Sequence, residues 1–342
     1  MTDRHHSHPA APALRRDCPH RPRRPSRRRH PFLPGLLLPL LLLATASWAD
    51  PPGCQDYGET LLLKSLTGLS IGGTGGPTDI AASGGDVFTV LRGDGVLRWD
   101  VRDPFAPARL DTFVPDAGVP SRCALRDGRL YVSLGWAGIQ VLDVSDPVAM
   151  TVAGQLFDGR VYADLALVPG APTLVGVDQD WPSSVVVLDL ADPVAPAVLG
   201  TVPVPGIATD VAAAPGVAVV ASQGLQVVDL ADPAAPTISG TLPCAATGPV
   251  AVSADGALAF VADADAGVRI VDLADLAAPA TLATIAVPGE VETLVPRDGL
   301  LFVAAGAGGL RVIEVTDPAA PRPRGAIGFP DGRTVRALGF DG

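Results

Sequence analysis

Pairs of acidic residues with two residues between them recur along this chain, and carboxylate oxygens are the ligands that calcium prefers. The pairs are Asp100/Asp103, Asp143/Asp146, Asp189/Asp192, Asp229/Asp232 and Asp272/Asp275, with Glu314/Asp317 as a variant. Proline follows the second acid in most copies. Such a pair also suits a turn, because aspartate accepts hydrogen bonds from turn amides and proline holds the preceding residue extended. We favour the turn role and keep calcium as the alternative, the only cofactor that the sequence indicates.

Histidine chemistry is absent from most of the chain. All five histidines lie in the first thirty residues, in a segment that we interpret below as a cleaved leader: His5, His6, His8, His20 and His30. A mature chain without histidine cannot use Ser-His-Asp or Cys-His nucleophile activation or an imidazole base. It also cannot hold zinc, copper or iron through histidine.

The acidic pairs mark a repeat, and the repeat predicts the elements that position them. The second acid of each pair recurs at intervals of 40 to 46 residues. Each unit divides into four short apolar stretches separated by Gly or Pro turns, as in Asp210–Ala214, Val217–Ala221, 224–236 and Thr237–Leu242. The third stretch is apolar on consecutive residues, which predicts a strand covered on both faces. Units of this length with four strands are typical of the blades of a β-propeller.

Six complete units and two remainders predict how the all-β ring closes. The units span 78–119, 120–161, 162–207, 208–247, 248–290 and 291–333. Residues 334–342 copy a first strand, and residues 59–72 contain two further apolar runs. A composite blade with strands from both ends would leave no exposed sheet edge. We therefore favour seven blades, and six blades with loose ends are the alternative.

A second set of charged residues is predicted to lie at the propeller axis. First strands line that axis, so a residue repeated at their start forms a ring. The aligned residues are Asp79, Arg122, Asp164, Asp210, Pro249, Glu292 and Arg336. One interpretation is a structural ring of ion pairs, and the other is a binding site for a cation or a small polar ligand. The four carboxylates of this set, those of Asp79, Asp164, Asp210 and Glu292, could also do acid–base work.

Three cysteines follow the leader: Cys54, Cys123 and Cys244. Cys123 occupies a strand position that holds Val or Ile in other units, so we predict that it is buried as an apolar residue. In an oxidising compartment the other two could form a disulfide, which would hold the N-terminal segment against a loop.

The first 49 residues have the composition of a secretory leader. Residues rich in Arg, Pro and His run into the apolar stretch 36–44, which is too short to span a bilayer, and small residues follow before Asp50. We expect an exported protein that is extracellular, on the cell surface or periplasmic, with no transmembrane anchor in the mature chain. Residues 50–77 are predicted to contribute to ring closure, and residues 78–342 to form the propeller.

The charge of the mature chain excludes two classes of partner. After the leader there are 16 basic and 34 acidic residues, and Lys64 is the only lysine in the sequence. Nucleic acids and anionic membrane surfaces bind clustered Lys and Arg, which this chain does not offer. The partners that remain are a protein, a glycan or a small polar ligand, and we expect the protein to be a monomer.

Two of the repeated phrases resemble a known family. The sequences GIQVLDVSDP at 138–147 and GLRVIEVTDP at 309–318 are similar to the LVIVD repeat of bacterial and archaeal cell-surface proteins. The resemblance covers about 78–342, although it weakens at Asp275-Leu276 and Ala149-Met150, where a proline is missing. It implies a secreted propeller of unassigned activity and no set of catalytic residues. We therefore expect a binding or scaffolding protein, and the alternative is a metal-assisted hydrolase or lyase that uses the axial carboxylates.

Overall fold

In the residues that the computed structural model describes, namely 77–103, 106–264, 266–329 and 334–340, twenty-four strands form six antiparallel sheets of four. Blades 1 to 3 contain β1 Asp79–Ser83, β2 Asp86–Leu91, β3 Gly95–Asp100, β4 Ala108–Phe113; β5 Arg122–Arg126, β6 Arg129–Ser133, β7 Ile139–Asp143, β8 Thr151–Leu156; and β9 Tyr162–Leu167, β10 Thr173–Asp178, β11 Ser184–Asp189, β12 Ala197–Pro203. Blades 4 to 6 contain β13 Asp210–Ala214, β14 Val217–Ala221, β15 Leu225–Asp229, β16 Thr237–Leu242; β17 Ala246–Val252, β18 Leu258–Asp263, β19 Gly267–Asp272, β20 Ala280–Ile285; and β21 Thr293–Arg297, β22 Leu300–Ala304, β23 Leu310–Glu314, β24 Arg322–Ile327.

The strand positions follow from the repeat, and the predicted all-β propeller is confirmed. Each sheet uses four consecutive strands, and the first strands of successive blades contact one another around the axis. The middle strands are the most buried, as β10 and β14 show, whereas fourth strands such as β12 are largely exposed. Neighbouring blades cover both faces of the middle strands, and the fourth strands form the outer rim.

Packing between blades supplies the core. Five hydrophobic clusters each join two consecutive blades, from blades 1 and 2 to blades 5 and 6. One of them contains Val185 and Val187 of blade 3 together with Val211 and Val220 of blade 4. The core is therefore divided among the contacts between blades.

The described residues form six blades, which matches the six-bladed alternative and does not support the preference for seven. Residues 334–340, which we call the C-terminal strap, pair with blade 6 through a single bridge between Gly306 and Val335. Phe340 packs edge-on against Phe302, with ring centroids 4.9 Å apart. The strap has the apolar pattern of a first strand, but it docks on blade 6 through this one bridge and through side-chain contacts, and it belongs to none of the six four-stranded sheets. Residues 59–72, the other predicted part of the seventh blade, lie outside the described residues.

The strap also reaches blade 1. A Cβ atom built at Gly339 would lie 3.4 Å from Cγ2 of Ile80, which is in β1. On the blade 6 side, the Thr293 hydroxyl donates a hydrogen bond of 2.8 Å to the carbonyl oxygen of Arg336. The strap therefore contacts both blades that flank the point of ring closure.

The acidic pairs form turns, as predicted. Oδ1 of Asp189 accepts a 2.8 Å hydrogen bond from the amide of Ala191, and Oδ1 of Asp192 accepts one of 3.1 Å from Val194. The equivalent bonds recur in the other units, at Asp100, Asp143, Asp146, Asp229, Asp232, Asp272, Asp275 and Asp317. Each carboxylate thus satisfies the amide two residues ahead of it.

These turns also pack against the preceding blade. A Cβ atom at Gly200 in β12 would lie 2.6 Å from Cδ of Pro236 in the turn of blade 4. Gly240 in β16 faces Pro279 in the turn of blade 5 in the same way. Only glycine leaves room for this approach, so the repeated turn serves the contact between blades as well as the hairpin.

The predicted leader, residues 1–49, lies outside the described residues, as does the segment 50–77 apart from Pro77. Their roles in export and ring closure remain predictions. Within the part of the chain that the structure describes, no helix has the length and apolar character needed to cross a membrane.

Candidate functional site

Antiparallel strand order places two sets of loops and the axial charges at one end of the propeller. In each blade the turn between the second and third strands, and the link to the next blade, lie at the end where the first strand begins. We call this end the upper face. Asp79, Arg122 and Asp210 are the first residues of β1, β5 and β13, so they lie at the upper end of the axis.

Arg122 connects three blades. Its Nη1 donates to the carbonyl oxygen of Thr78 in blade 1 at 3.1 Å, and its Nε lies 3.4 Å from Oδ1 of Asp164 in blade 3. The carboxyl of Asp164 is in turn hydrogen-bonded to that of Asp210 in blade 4. The structure therefore brings together four of the predicted axial residues, Asp79, Arg122, Asp164 and Asp210.

Each aspartate of this cluster also holds the first strand of the next blade. Oδ2 of Asp79 accepts a 2.8 Å bond from the amide of Cys123. Oδ2 of Asp164 accepts a 2.9 Å bond from the amide of Val211, and Oδ2 of Asp210 accepts one of 2.8 Å from Val250. These bonds fix the spacing of blades 1 to 5 at the axis, with Arg122 replacing the carboxylate in blade 2.

The carboxyl groups of the cluster hold protons more tightly than free aspartate. Burial raises the pKa of Asp79 to about 6, against the lowering effect of its bond from Cys123. Burial also raises the pKa of Asp164, opposed by the charge of Arg122. The pKa of Asp210 lies well above its ordinary value because of burial and the neighbouring Asp164 charge. Both of these neighbouring buried carboxyls therefore hold a proton more tightly than a free aspartate does, and the effect is stronger for Asp210.

This arrangement predicts how stability depends on pH. A carboxyl whose pKa is raised by folding stabilises the protein fully below its unfolded pKa near 4, and loses that contribution as the pH rises through its folded pKa. The window for Asp79 is therefore about pH 4 to 6, and the window for Asp210 extends above pH 4.

Asp210→Asn is expected to reduce the loss of stability with rising pH. Asparagine keeps an oxygen for the amide of Val250 and an N–H for Asp164 but does not ionise. We expect the variant to melt about 2–4 °C above the unaltered chain at pH 8, which corresponds to about 1 kcal/mol. Thermal melts at half-unit steps from pH 4 to 8 measure this. Asp210→Ala is the control that loses both bonds, and equal melting curves for Asn and Ala would show that these bonds do not stabilise the fold.

The remaining predicted axial residues lie apart from this cluster. Glu292 precedes β21, and its Oε1 lies near Gly306. Arg336 is in the strap, where its side chain is exposed and its carbonyl oxygen binds Thr293. Pro249 lies in β17 next to Val250. In the part of the chain that the structure describes, neither Glu292 nor Arg336 forms an ion pair with the four clustered residues.

No cluster of three or more acidic, cysteine or histidine side chains in the described residues has the geometry to hold a metal ion. The turn acids direct an oxygen to a backbone amide, as do the axial aspartates. Calcium therefore remains a prediction from the sequence, with no site among these residues that fits it.

The cysteines fall into two environments. Cys123 is buried in the cluster between blades 1 and 2, as predicted. Cys244 is partly buried, with its Sγ 3.5 Å from the carbonyl oxygen of Leu242. Cys54 lies outside the described residues, so its disulfide with Cys244 stays a prediction.

The sequence interpretation missed a group of exposed apolar side chains on the upper face. Trp136 and Trp181 lie in the turns between the second and third strands of blades 2 and 3, and Phe157 lies in the link between these blades. The available signal was their position in short Gly- or Pro-containing segments between strands, SLGWAG and DWPSS. Large aromatic residues in such turns have little of their own blade to pack against.

Comparison with known proteins supports the repeat. Residues 118–157, 205–242 and 249–285, which correspond to blades 2, 4 and 5, match the LVIVD repeat. No curated protein matches the sequence.

Solved structures share the fold at low identity. A protein from Lactobacillus plantarum is 15% identical with a TM-score of 0.62, over 76% of this chain and 85% of that one. A functionally unknown protein from Desulfotomaculum acetoxidans is 13% identical with a TM-score of 0.58, over 68% and 76%. The RRP9 WD40 repeats are 11% identical with a TM-score of 0.59, over 78% and 84%. These similarities establish the architecture.

Proposed function

We propose that this chain, which folds into six propeller blades and has three segments that match the LVIVD repeat, is an exported binding or scaffolding module that works outside the cell, on its surface or in the periplasm. One observation carries the proposal. Three of the four axial carboxylates that are the best candidates for catalysis, those of Asp79, Asp164 and Asp210, accept bonds that hold neighbouring blades together. Because these axial groups hold the blades together, the loops of the propeller are the surface that is left to bind a partner.

The composition of the chain supports the same conclusion. Histidine is confined to the predicted leader, so the mature chain lacks the most common general base. Apolar side chains that could pack in the core are exposed in the upper loops. The excess of acidic residues after the leader makes nucleic acid an unsuitable partner and leaves a protein, a glycan or a small polar ligand.

The competing function is a metal-assisted hydrolase or lyase, which the raised pKa values of the neighbouring carboxyls of Asp164 and Asp210 favour. Two carboxyls with separated pKa values form a general acid and base in several enzymes. The residues that would carry this activity are Asp79, Asp164, Asp210 and Glu292.

Substitution of these four acids by Asn or Gln distinguishes the two functions. We would assay the unaltered chain and each variant for ester, glycoside and polysaccharide turnover with added Ca²⁺, Mg²⁺ or Zn²⁺. If the binding proposal is correct, neither the unaltered chain nor any variant turns over a substrate, and the substitutions change only the melting temperature. Turnover that disappears in a variant with an intact circular dichroism spectrum would establish the enzyme. Excess chelator is expected to leave the melting temperature unchanged, and a fall would indicate a structural calcium ion.

A further inference from the structure

Six exposed apolar side chains lie along one side of the upper face. Trp181, Phe157, Val114, Trp136, Ile207 and Val119 are between 77% and 44% exposed. They come from the three links that join blade 1 to blade 2, blade 2 to blade 3 and blade 3 to blade 4, and from the upper turns of blades 2 and 3. We call these six residues the apolar arc. Single exposed apolar residues need no explanation, but a continuous set in successive loops indicates an interaction surface.

Backbone hydrogen bonds join the loops of the arc into one surface. The link that carries Val114 and Val119 is bonded to the turn of Trp136, since the amide of Val119 donates to Leu134 at 3.1 Å. That turn is bridged to blade 3 through Gly135 and Tyr162.

The second half of the arc is tied down in the same way. The amide of Gln179 donates to the carbonyl oxygen of Val161 at 2.9 Å, which connects the link of Phe157 to the turn of Trp181. The amide of Val204 donates to Ser183 at 2.9 Å, which connects that turn to the link of Ile207. The arc is therefore held in place before any partner binds, which lowers the entropy cost of association.

The charges beside the arc are acidic. Asp116 is exposed between Val114 and Val119, and Asp180 is exposed next to Trp181. Arg160 is the one basic residue in these five loops. It is already paired, with Nη1 at 2.6 Å from Asp158 and Nε at 3.8 Å from Asp178. An occupant would meet apolar surface with carboxylates that its own positive charges could neutralise.

We infer that the apolar arc binds a polypeptide segment that combines apolar side chains with Lys or Arg. This inference rests on the proposed binding function and names its surface and its partner. A second copy of the chain fits poorly, because it would place acidic loops against acidic loops. Residues 50–76 also fit poorly, because they contain three acids and a single lysine. The aliphatic side chains of Val114, Val119 and Ile207 favour a peptide over a glycan, whose hydroxyl groups need polar partners.

The test uses three synthetic peptides of one length, read out by tryptophan fluorescence and calorimetry. The first alternates Leu and Lys, the second alternates Leu and Glu, and the third alternates Ser and Lys. We expect only the Leu/Lys peptide to bind and to change the emission of the exposed tryptophans. Equal binding of the Leu/Glu peptide would overturn the inference that the partner is basic. Equal binding of the Ser/Lys peptide would overturn the inference that the apolar arc contributes to binding.

Variants locate the binding surface. Trp136→Ser combined with Phe157→Ser is expected to weaken the Leu/Lys peptide about tenfold or more, because aromatic anchors carry much of the affinity of such surfaces. The matched control is Val198→Ser with Leu199→Ser on the exposed outer strand β12 of blade 3, which should change affinity less than about twofold. Equal effects of the two double variants would overturn the assignment.

Two further outcomes separate this inference from the proposed function. If no peptide binds while chitohexaose or cellohexaose quenches the tryptophans, the arc is a glycan site. In that case the inference is wrong and the binding function stands. If metal-dependent turnover is found at the axis, the proposed function is wrong whatever the peptides do.

Discussion

Deleting residues 334–342 is expected to lower the melting temperature of the propeller by roughly 10 °C. Each of the five contacts between consecutive blades has its own hydrophobic cluster, but blades 1 and 6 are the first and last in the chain and no linker joins them directly. The C-terminal strap contacts both, through Gly306 and Phe302 in blade 6 and Ile80 in blade 1. Its loss removes packing at the point of ring closure.

The size of the expected fall in melting temperature depends mainly on Phe340. Its ring packs on Phe302 at 4.9 Å, and the guanidinium of Arg297 lies 5.3 Å from its centroid. Removing a packed phenylalanine costs about 3 kcal/mol or more, and the two hydrogen bonds of the strap contribute about 1 kcal/mol each. For a domain of this size, each kcal/mol corresponds to about 2–4 °C.

Differential scanning calorimetry of three variants tests this expectation. Removal of residues 341–342 alone is the control and should change stability by less than about 0.5 kcal/mol. Phe340→Ala should reproduce most of the effect of the full deletion. A full deletion that melts with the unaltered chain would show that the contacts of the strap are not needed for closure.

Asp164→Ala is expected to destabilise the protein by about 3–5 kcal/mol. The substitution leaves the amide of Val211 without its acceptor, removes the ionised partner of Arg122 and removes the hydrogen bond to Asp210. We expect a value near the lower end, because 32% of the Arg122 side chain is exposed and water can solvate part of the unpaired charge.

Urea unfolding of Asp164→Ala, Asp164→Asn and Asp116→Ala separates the contribution of the Asp164 charge to stability from that of its hydrogen bonds. Asparagine retains an oxygen for Val211 but carries no charge, so its cost should fall between the other two. Asp116 is exposed in a loop of the same face, and its substitution should cost less than about 0.5 kcal/mol. If all three variants unfolded at the same urea concentration, the carboxylate of Asp164 would have no role in holding the blades.

The strap and Asp164 both help to hold neighbouring blades at a fixed angle. A propeller made of consecutive four-stranded sheets has no hydrogen-bond ladder between blades, so side chains and single backbone bonds must set the angle from one blade to the next. At the axis, Asp79 does this between blades 1 and 2, and Asp164 and Asp210 do it for blades 3 to 5. Arg122 does it between blades 2 and 3. The strap contributes at the seam between the first blade and the last.

The strands and their turns could be predicted because their determinants are local. Val217–Ala221 and Thr237–Leu242 were expected from apolar runs bounded by Gly and Pro, and both are strands with those bounds. The turn role of Asp189 and Asp192 depends on amides two residues away. The burial of Cys123 followed from its position among Val and Ile in other repeats.

The site could be predicted only in part. Alignment of the repeats placed Asp79, Arg122, Asp164 and Asp210 at one level, and the structure brings them together. Alignment could not show that the Oδ2 atoms of the three aspartates accept hydrogen bonds from amides 40 to 47 residues ahead, in the next blade. It also grouped Glu292 with them, although Glu292 lies against Gly306.

The sequence by itself therefore determined the class of fold, the repeat length, the strand positions and the turn chemistry, since each depends on residues close together in the chain. Only the tertiary structure decided that the ring has six blades, that residues 334–340 form a strap and that the axial acids hold neighbouring blades. It also decided that Trp136, Phe157 and Trp181 share one exposed face. These features arise from contacts between residues one or more blades apart. A periodic pattern shows which residues are alike, but it does not show which of them meet.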